Sequence, residues 1–123
     1  MILVDTSVWV DHLRHGDQTL SDLLQARQIM VHPFVIGELA LGSLRQREVV
    51  LGALRDLPHS LVASDGEAQL VIERHKLYGS GIGYVDVHLI AATFLTADVK
   101  LWTRDKRLRE ISIRLKRDAS LDN

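Results

Sequence analysis

The chain has 123 residues, which suits one domain with a real core and is short for two. Hydrophobic residues make up 46% and charged residues 25%, a globular balance that excludes a disordered chain. The net charge of -1 excludes a strong overall attraction to nucleic acid, and the absence of cysteine excludes disulfides and thiolate metal sites. No apolar stretch has the length of a membrane span and the start lacks a signal-peptide pattern, so we expect one soluble, cytoplasmic domain over residues 1–123.

Short apolar runs alternate along the chain with stretches whose apolar residues have helical spacing. Pro33 suits the first turn of a helix, and the glycines of residues 79–83 suit a flexible loop before an almost wholly apolar helix. The predicted strands are 2–4, 29–32, 60–63 and 101–102, and the predicted helices are 8–14, 17–28, 33–43, 45–57, 65–78, 84–95 and 106–115. Strands that alternate with helices indicate a parallel sheet covered on both faces, so the predicted fold class is α/β.

Two aspartates stand where a predicted strand ends. Asp5 follows the first strand and Asp105 follows the last, and hydroxyl residues lie beside both. The carboxyl ends of parallel strands meet at one edge of a sheet, where ligands and reacting groups gather. Taken alone, each aspartate has a simpler explanation: Asp5 begins a turn with Ser7 as helix cap, and Asp105 is a helix-start acid. Thr103 is predicted to cap the last helix.

Two further carboxylates, Glu38 and Asp86, occupy unusual helical positions. Glu38 has apolar neighbours on nearly every side of its helix, which predicts a side chain that points into the protein and is protonated, paired with arginine or bound to metal. Asp86 lies in the first turn of the apolar helix, where the helix dipole alone favours an acid. Because a glycine-rich loop precedes this turn, we expect the Asp86 carboxylate to open onto the crevice at the strand ends.

The four carboxylates make a stronger case together than singly. Like charges that converge in one crevice repel one another unless divalent cations neutralise them. The absence of cysteine favours hard cations such as magnesium or manganese. Such an ion can lower the pKa of a bound water and stabilise a leaving oxygen, which suits phosphodiester hydrolysis by one ion or two.

The basic residues cluster near the C-terminus. Seven of the fifteen lysines and arginines lie between residues 104 and 117, beginning with Arg104, Lys106 and Arg107. A solvated helix face is the common explanation of such a run, so it only supports an interaction with nucleic acid. None of the six histidines forms a recognisable ligand pair, and His88 is left out of the predicted site because helical direction turns it partly away.

Four motifs, in this order and spacing, resemble the PIN-domain family and, within it, VapC-type toxins. They are Ile2-Leu-Val-Asp-Thr-Ser7, Gly37-Glu-Leu39, Gly83-Tyr-Val-Asp-Val-His-Leu-Ile-Ala-Ala92 and Leu101-Trp-Thr-Arg-Asp-Lys-Arg-Leu108. Each motif is weak alone, but the ordered set is specific and spans essentially the whole chain. The resemblance implies a three-layer α/β/α sandwich with a central parallel sheet of about four or five strands.

The resemblance also implies an endoribonuclease that depends on Mg²⁺ or Mn²⁺ and is held inactive by a VapB-type antitoxin. The implied catalytic residues and metal ligands are Asp5, Glu38, Asp86 and Asp105. The implied supporting hydroxyls are Thr6, Ser7 and Thr103, and the candidate RNA contacts are Arg104, Lys106 and Arg107.

The resemblance extends to partners. Family members commonly form homodimers, and the paired central helices are expected to offer an apolar groove to an antitoxin segment. The residues of this predicted groove are Phe34, Val35, Val49, Val50, Leu51 and Leu54. His32 and Pro33 stand where many relatives have a small hydroxyl residue, which leaves the helix of Glu38 without a predicted side-chain cap.

Two other functions compete with this reading. An aspartyl-phosphate phosphatase would use Asp5 as nucleophile, but its chemistry wants a second aspartate two residues on, where this chain has Ser7. A non-catalytic RNA- or protein-binding module would use the basic C-terminal helix and leave the acids as solvated surface. Such a module would bind in the presence of a chelator and weaken steeply with salt, whereas the nuclease would need its metal.

Overall fold

A computed structural model describes residues 1–121 and shows three short strands and seven helices in that range. The strands are β1 (Ile2–Val4), β2 (Ile29–Met30) and β3 (Lys100–Trp102). The helices are α1 (Thr6–His15), α2 (Gln18–Gln25), α3 (Pro33–Leu41), α4 (Arg47–Arg55), α5 (Asp65–His75), α6 (Tyr84–Leu95) and α7 (Lys106–Arg114). This alternation confirms the predicted α/β class.

The three strands form one parallel sheet in the order β2-β1-β3. β1 is central, with Ile2 opposite Ile29 on one side and Lys100 on the other. Parallel neighbours need crossover connections, which the helices supply, and their carboxyl ends meet at one edge. Asp5 follows β1 at this edge, and its amide donates to the Trp102 carbonyl at 2.9 Å.

The sheet has fewer than the predicted four or five strands, because residues 60–63 do not form one. In this region of the described chain, His59 forms an isolated parallel bridge with Val31. Two residues further on, the Leu61 amide donates to the Thr96 hydroxyl at 3.2 Å, so the pairing ends at once. Leu61 is also exposed, although its apolar character suggested a buried strand.

Left-handed residues set two helix boundaries that the sequence pattern placed elsewhere. Gln46 has φ of 51° immediately before α4, so this helix begins at Arg47 and not at residue 45. Lys76 has φ of 54° at the end of α5, which therefore stops short of residue 78. Such conformations are uncommon for residues with a side chain and interrupt the helical hydrogen-bond pattern.

A histidine caps α3. His32 is fully buried, and its Nδ1 accepts a hydrogen bond from the Phe34 amide at 2.9 Å, while Pro33 occupies the first helical turn. The expectation of an uncapped helix is therefore wrong, since an imidazole nitrogen can accept as a hydroxyl does. Burial, and then the nearby His88 and His59, lower the pKa of His32 from 6.5 to about 4. The ring is consequently neutral at neutral pH.

The hydrophobic core lies between the sheet and the helices. Leu3 and Val4 of β1 and Leu101 of β3 are completely buried. α6 contributes an unbroken buried run from Val87 to Thr93, as its apolar sequence predicts. Despite this apolar character, none of the helices in residues 1–121 is long and apolar enough to span a membrane.

Candidate functional site

Four carboxylates surround the edge at which β1 and β3 end. Asp5 directly precedes α1, and Asp105 directly precedes α7. Glu38 lies in α3, and Asp86 lies in the first turn of α6. The negative charges of the other three each raise the pKa of Asp86, so all of them lie within electrostatic range of it.

Asp5 is buried, with 6% of its surface exposed. Its Oδ2 accepts from the Ser7 hydroxyl at 2.7 Å and from the Thr103 hydroxyl at 2.8 Å. Ser7 in turn accepts from the Arg104 amide at 3.0 Å, so this donor is itself held in place. The two hydroxyls fix the orientation of the carboxylate, as supporting groups do for metal ligands.

The side chain of Asp105, and not that of Thr103, caps α7. Asp105 Oδ1 accepts from the Leu108 amide at 2.9 Å. The Thr103 hydroxyl accepts from the Asp105 amide at 3.1 Å and donates to Asp5. The prediction of Thr103 as the cap is wrong because its hydroxyl faces the neighbouring strand end. Thr103 thereby links the two strand-end aspartates.

Glu38 is exposed, contrary to the expectation that it points into apolar surroundings. Its Oε1 accepts from the Thr6 hydroxyl at 2.6 Å, which connects α3 to the start of α1. The apolar neighbours along α3 divide between core and surface, since Val35 and Leu39 are buried while Leu41 is exposed. The side chain of Glu38 therefore lies on the solvent side of the crevice.

The pKa of Asp86 is raised above its ordinary value. Burial raises the pKa of this carboxyl most, and the three other carboxylates raise it further. A hydrogen bond from the Gly83 amide to Asp86 Oδ2, at 3.1 Å, opposes these effects. A divalent cation in the crevice would reverse the balance, because it stabilises the ionised form of every carboxylate near it.

The oxygen donors fit a hard divalent cation that keeps part of its water shell. Within residues 1–121, no three acidic, imidazole or thiol side chains stand close enough to form a complete ligand set of their own. Magnesium does not require one, since it commonly binds through one or two carboxylates plus water and substrate oxygens. Asp5, whose carboxylate is oriented by two hydroxyls, and Asp86, whose pKa is raised by burial and then by the other carboxylates, are suited to binding magnesium in this way.

Arg104, a predicted RNA contact, forms ion pairs with two aspartates of the described residues 1–121. Its guanidinium donates to Asp11 at 2.8 Å and to Asp17 at 2.5 Å, and its Cζ lies 5.4 Å from the centroid of the Trp102 ring. A quarter of the side chain, 25%, is exposed. The hydrogen bond from Arg104 is the main cause of the lowered pKa of Asp17, and that from the Leu20 amide is the next. These contacts give Arg104 a structural role.

Lys106 and Arg107, the other predicted RNA contacts, are exposed at the start of α7. Arg107 lies across Gly81 in the glycine loop, so closely that a Cβ on Gly81 would overlap its guanidinium. Gly81 also has φ of 89°, a conformation that favours glycine. The contact brings positive charge beside the loop that leads to Asp86.

Sequence analysis missed a group of four rings next to the acids. This ring cluster consists of His32, Phe34, Tyr84 and His88. His88 is buried at its centre and joins α3 to α6, which explains its absence from the acidic group. The spacing of Tyr84 and His88 on one helix was a visible signal, but the partner rings on α3 follow only from the tertiary structure.

Comparison with known proteins connects this geometry to a family. The model of the PIN domain matches residues 2–113. The chain belongs to the PIN-domain family. Ribonuclease VapC32 of Mycobacterium tuberculosis, found in strains CDC 1551 / Oshkosh and ATCC 25618 / H37Rv, is 48% identical over 109 residues, or 89% of this chain and 88% of the relative. The motif-based assignment to VapC-type PIN ribonucleases is thereby confirmed.

The matched part of this PIN domain contains all four acidic positions and both helices that carry the ring cluster. The roles of the individual acids as metal ligands and catalytic groups stay predictions.

Proposed function

We propose that this PIN domain is the endoribonuclease toxin of a toxin–antitoxin pair and hydrolyses RNA at the acidic crevice with a divalent cation. The observation that carries the proposal is the placement of four carboxylates around one edge of the sheet, near enough to one another that, beyond the effect of burial, three of them raise the pKa of Asp86. Such repulsion is costly unless a cation binds, and phosphodiester hydrolysis suits a cation held in this way. The 48% identity to a protein named Ribonuclease VapC32 supports RNA as the substrate.

Mg²⁺ or Mn²⁺ is the proposed cofactor, because carboxylate ligands suit hard cations. The proposed ligands are Asp5, Glu38, Asp86 and Asp105, some of them through water. When bound, the ion would supply a water of lowered pKa and stabilise charge at the scissile phosphate.

Hydroxyl groups of the chain hold the proposed ligands in position. Ser7 and Thr103 orient Asp5, and Thr6 donates to Glu38 at 2.6 Å. Each of these donors belongs to a strand end or to the first turn of α1, so the ligand positions are tied to the sheet. Supporting groups of this kind typically change metal affinity or activity by about 10- to 100-fold when removed.

Lys106 and Arg107 are the proposed contacts to RNA phosphates. Both are exposed and follow Asp105 directly, at the edge of the acidic crevice. Arg104 was proposed with them, but its ion pairs to Asp11 and Asp17 would have to break before it could bind phosphate. Lys106 and Arg107 are therefore the stronger candidates.

A cavity of about 640 Å³ between α1, α3 and α4 is the proposed seat of a VapB-type antitoxin segment. Its apolar lining includes Val10, Leu39, Leu44 and Val50. Glu38 also lines it, so an occupant would reach the acidic crevice. A homodimer and a cytoplasmic location are further proposals that follow from the family.

The groove predicted from the sequence needs correction. Val50 lines the cavity, but Val35, Leu51 and Leu54 are buried in the core and cannot contact a partner without unfolding. Their apolar character serves the packing of α3 and α4, which the sequence alone cannot distinguish from a docking surface.

The deciding experiment is cleavage of total RNA and of a labelled single-stranded RNA by purified, antitoxin-free protein with Mg²⁺, Mn²⁺ or EDTA. Asp5→Asn preserves size and removes charge, and we expect it to lower cleavage by at least about 100-fold. Asp56→Asn changes an exposed acid at the end of α4 and should cleave like wild type.

Two results would overturn the nuclease proposal. Cleavage that persists in EDTA or in Asp5→Asn would show that the acidic crevice is not responsible. RNA binding that survives EDTA, with no cleavage under any condition, would indicate a binding module instead.

A further inference from the structure

We infer that Phe34 and Tyr84 form a stacking platform that holds an unpaired base of the RNA beside the scissile phosphate. The inference rests on the proposed nuclease function and adds a site for the base to the acidic site for the phosphate. Aromatic rings bind single-stranded RNA regardless of sequence, because every base has a flat π face. The platform would therefore select unpaired nucleotides over duplex RNA.

Both rings of the platform are exposed although they belong to the ring cluster. Phe34 is 38% exposed and Tyr84 is 45% exposed, whereas His32 and His88 are 0% and 2% exposed. The ring centroid of His88 lies 4.9 Å from that of Phe34 and 4.7 Å from that of Tyr84, and both contacts are edge-to-face. The buried imidazoles thus fix the outer rings and leave part of each open to solvent.

Hydrogen bonds and ring packing hold the platform in position before any ligand binds. The backbone amide of Phe34 donates to His32 Nδ1 at 2.9 Å, and the Phe34 ring packs edge-to-face on that imidazole with ring centroids 4.8 Å apart. The Tyr84 hydroxyl donates to Asp65 Oδ1 at 3.2 Å. A ring that is already fixed loses little conformational freedom when a base stacks on it.

Two polar atoms within the ring cluster support a ligand at this place. His32 Nε2 and His88 Nδ1 are buried and have no hydrogen-bond partner among the described residues. Buried polar atoms are nearly always satisfied, so an exception calls for water or a ligand. Because both atoms are enclosed behind the outer rings, a bound base would reach them through water, which can bridge buried polar groups to a ligand.

The platform borders the acidic crevice through Phe34. Phe34 precedes Glu38 by four residues on α3, so the two side chains lie on one face, a turn apart. Tyr84 stands two residues before Asp86 on α6, on the side of that helix that His88 occupies, and joins the platform through its ring contact with His88. A nucleotide whose phosphate meets the carboxylates therefore has its base within reach of Phe34, with Tyr84 further from the acids.

Base stacking provides attraction for the RNA in a crevice whose own charges are negative. The four carboxylates repel the RNA backbone until a cation is bound. Arg104, which directly precedes Asp105, is already paired with Asp11 and Asp17. An uncharged aromatic ring can bind a base without forming an ion pair with the carboxylates. Base stacking on such a ring contributes substantially to the affinity for single-stranded RNA.

The test measures whether a ring and a base contribute together to binding. The probe is a single-stranded RNA of about a dozen nucleotides with 2-aminopurine at one position at a time, since stacking quenches its fluorescence. Asp5→Asn serves as the parent protein so that the probe stays intact. We expect quenching at one or two adjacent positions, and Phe34→Leu and Tyr84→Leu should each weaken binding by about 5- to 150-fold.

Three comparisons separate the ring from other causes. Tyr84→Phe keeps the ring and loses only the hydroxyl, so quenching should persist. Tyr78→Leu removes an exposed tyrosine outside the ring cluster and should leave RNA binding unchanged. An abasic nucleotide at the quenched position should cause the same loss as the leucine variants, with no further loss when the two are combined.

Failure of the platform can be distinguished from failure of the nuclease proposal. The platform is overturned, even if the wild type cleaves RNA, by either of two results for folded leucine variants. One is that they bind intact RNA as tightly as the parent does. The other is that they bind abasic RNA more weakly than the parent does. Absence of RNA binding also overturns it and leaves the rings to a protein partner. If ring and base are coupled but the wild type shows no metal-dependent cleavage, the nuclease proposal fails and the platform stands as an RNA-binding site.

Discussion

Asp5 and Asp86 enter the crevice in different electrostatic surroundings. Asp5 accepts hydrogen bonds from two hydroxyls, whereas Asp86 accepts one from the Gly83 amide and is repelled by three carboxylates. The unfavourable electrostatics of the cation-free site therefore act on Asp86. Functional sites often retain groups of this kind at the expense of stability.

Asp86→Asn should make the cation-free protein more stable at neutral pH. Folding raises the pKa of Asp86 above its ordinary value of 3.8, so ionisation of this group at neutral pH favours the unfolded chain. Asparagine removes the charge and can still accept the Gly83 hydrogen bond. We expect a Tm higher by a few degrees at pH 7, a gain that disappears below about 3.8, and loss of RNA cleavage.

Magnesium should reduce or reverse the difference in Tm between the wild type and Asp86→Asn. A cation that binds only the folded site raises the Tm by mass action, more for the wild type than for Asp86→Asn. Asp56→Asn is the control and should match the wild type with and without the cation. A lower Tm of Asp86→Asn in EDTA would contradict the electrostatic account.

At the scale of elements, helix starts supply much of the site. α1 and α7 begin directly after Asp5 and Asp105, and the first turn of α6 contains Asp86. The backbone amides at these starts are positive ends of helix dipoles, which favour anionic side chains and phosphate. The N-cap residue of α3 is His32, which belongs to the ring cluster, so the start of this helix also supports the neighbouring platform.

His32→Asn should reduce the acid sensitivity of the fold. The pKa of His32 is lowered from 6.5 to about 4 by burial and then by His88 and His59, so the unfolded chain binds a proton in this range that the folded chain resists. From this group alone, the free energy of unfolding should fall by about 1.4 kcal/mol per pH unit as the pH drops across the range. Asparagine caps helices well and does not titrate.

Urea unfolding at closely spaced pH values measures this effect. The decisive quantity is the pH slope, because loss of the buried ring lowers stability at every pH. Above about 6.5 the difference between wild type and His32→Asn should be constant. His15→Asn, a change at an exposed position on α1, should keep the wild-type slope. If His32→Asn keeps it as well, the assignment of the slope to His32 is wrong.

At the scale of the whole molecule, Arg104 connects parts of the chain that are far apart in sequence. It follows β3 closely, pairs with Asp11 of α1 and with Asp17 before α2, and its amide donates to Ser7. Ser7 donates to Asp5, so these contacts reach the proposed ligands. The fold and the site therefore share one network.

Arg104→Ala should lower the free energy of unfolding by about 1–3 kcal/mol, because it leaves Asp11 and the partly buried Asp17 without their cation. The pKa of Asp17 is lowered chiefly by Arg104, so this stabilisation is present above 3.8 and is lost as the pH falls below it. Lys106→Ala, at an exposed position two residues on, is the matched control for urea unfolding. If Arg104→Ala is as stable as the wild type but binds RNA more weakly, the structural role is wrong and Arg104 is an RNA contact.

Much of the fold was accessible from local pattern. The bounds of α6 were predicted correctly because its apolar run is continuous between a glycine loop and a polar turn. The strand at residues 60–63 was predicted wrongly because an apolar run forms a strand only when the edge of a sheet is available for pairing. The Leu61 amide instead donates to the Thr96 hydroxyl, and no local feature of the sequence predicts that contact.

The sequence by itself determined the α/β class, the family and the order of the four acids, because these depend on residue types at set spacings along the chain. The tertiary structure alone decided that Glu38 is exposed, that Arg104 is paired, and that Phe34 and His88 share a ring cluster. The physical reason is that these properties arise from contacts between distant segments. Thr103 and Asp5 are 98 residues apart and 2.8 Å from each other, and only the folded chain brings them together.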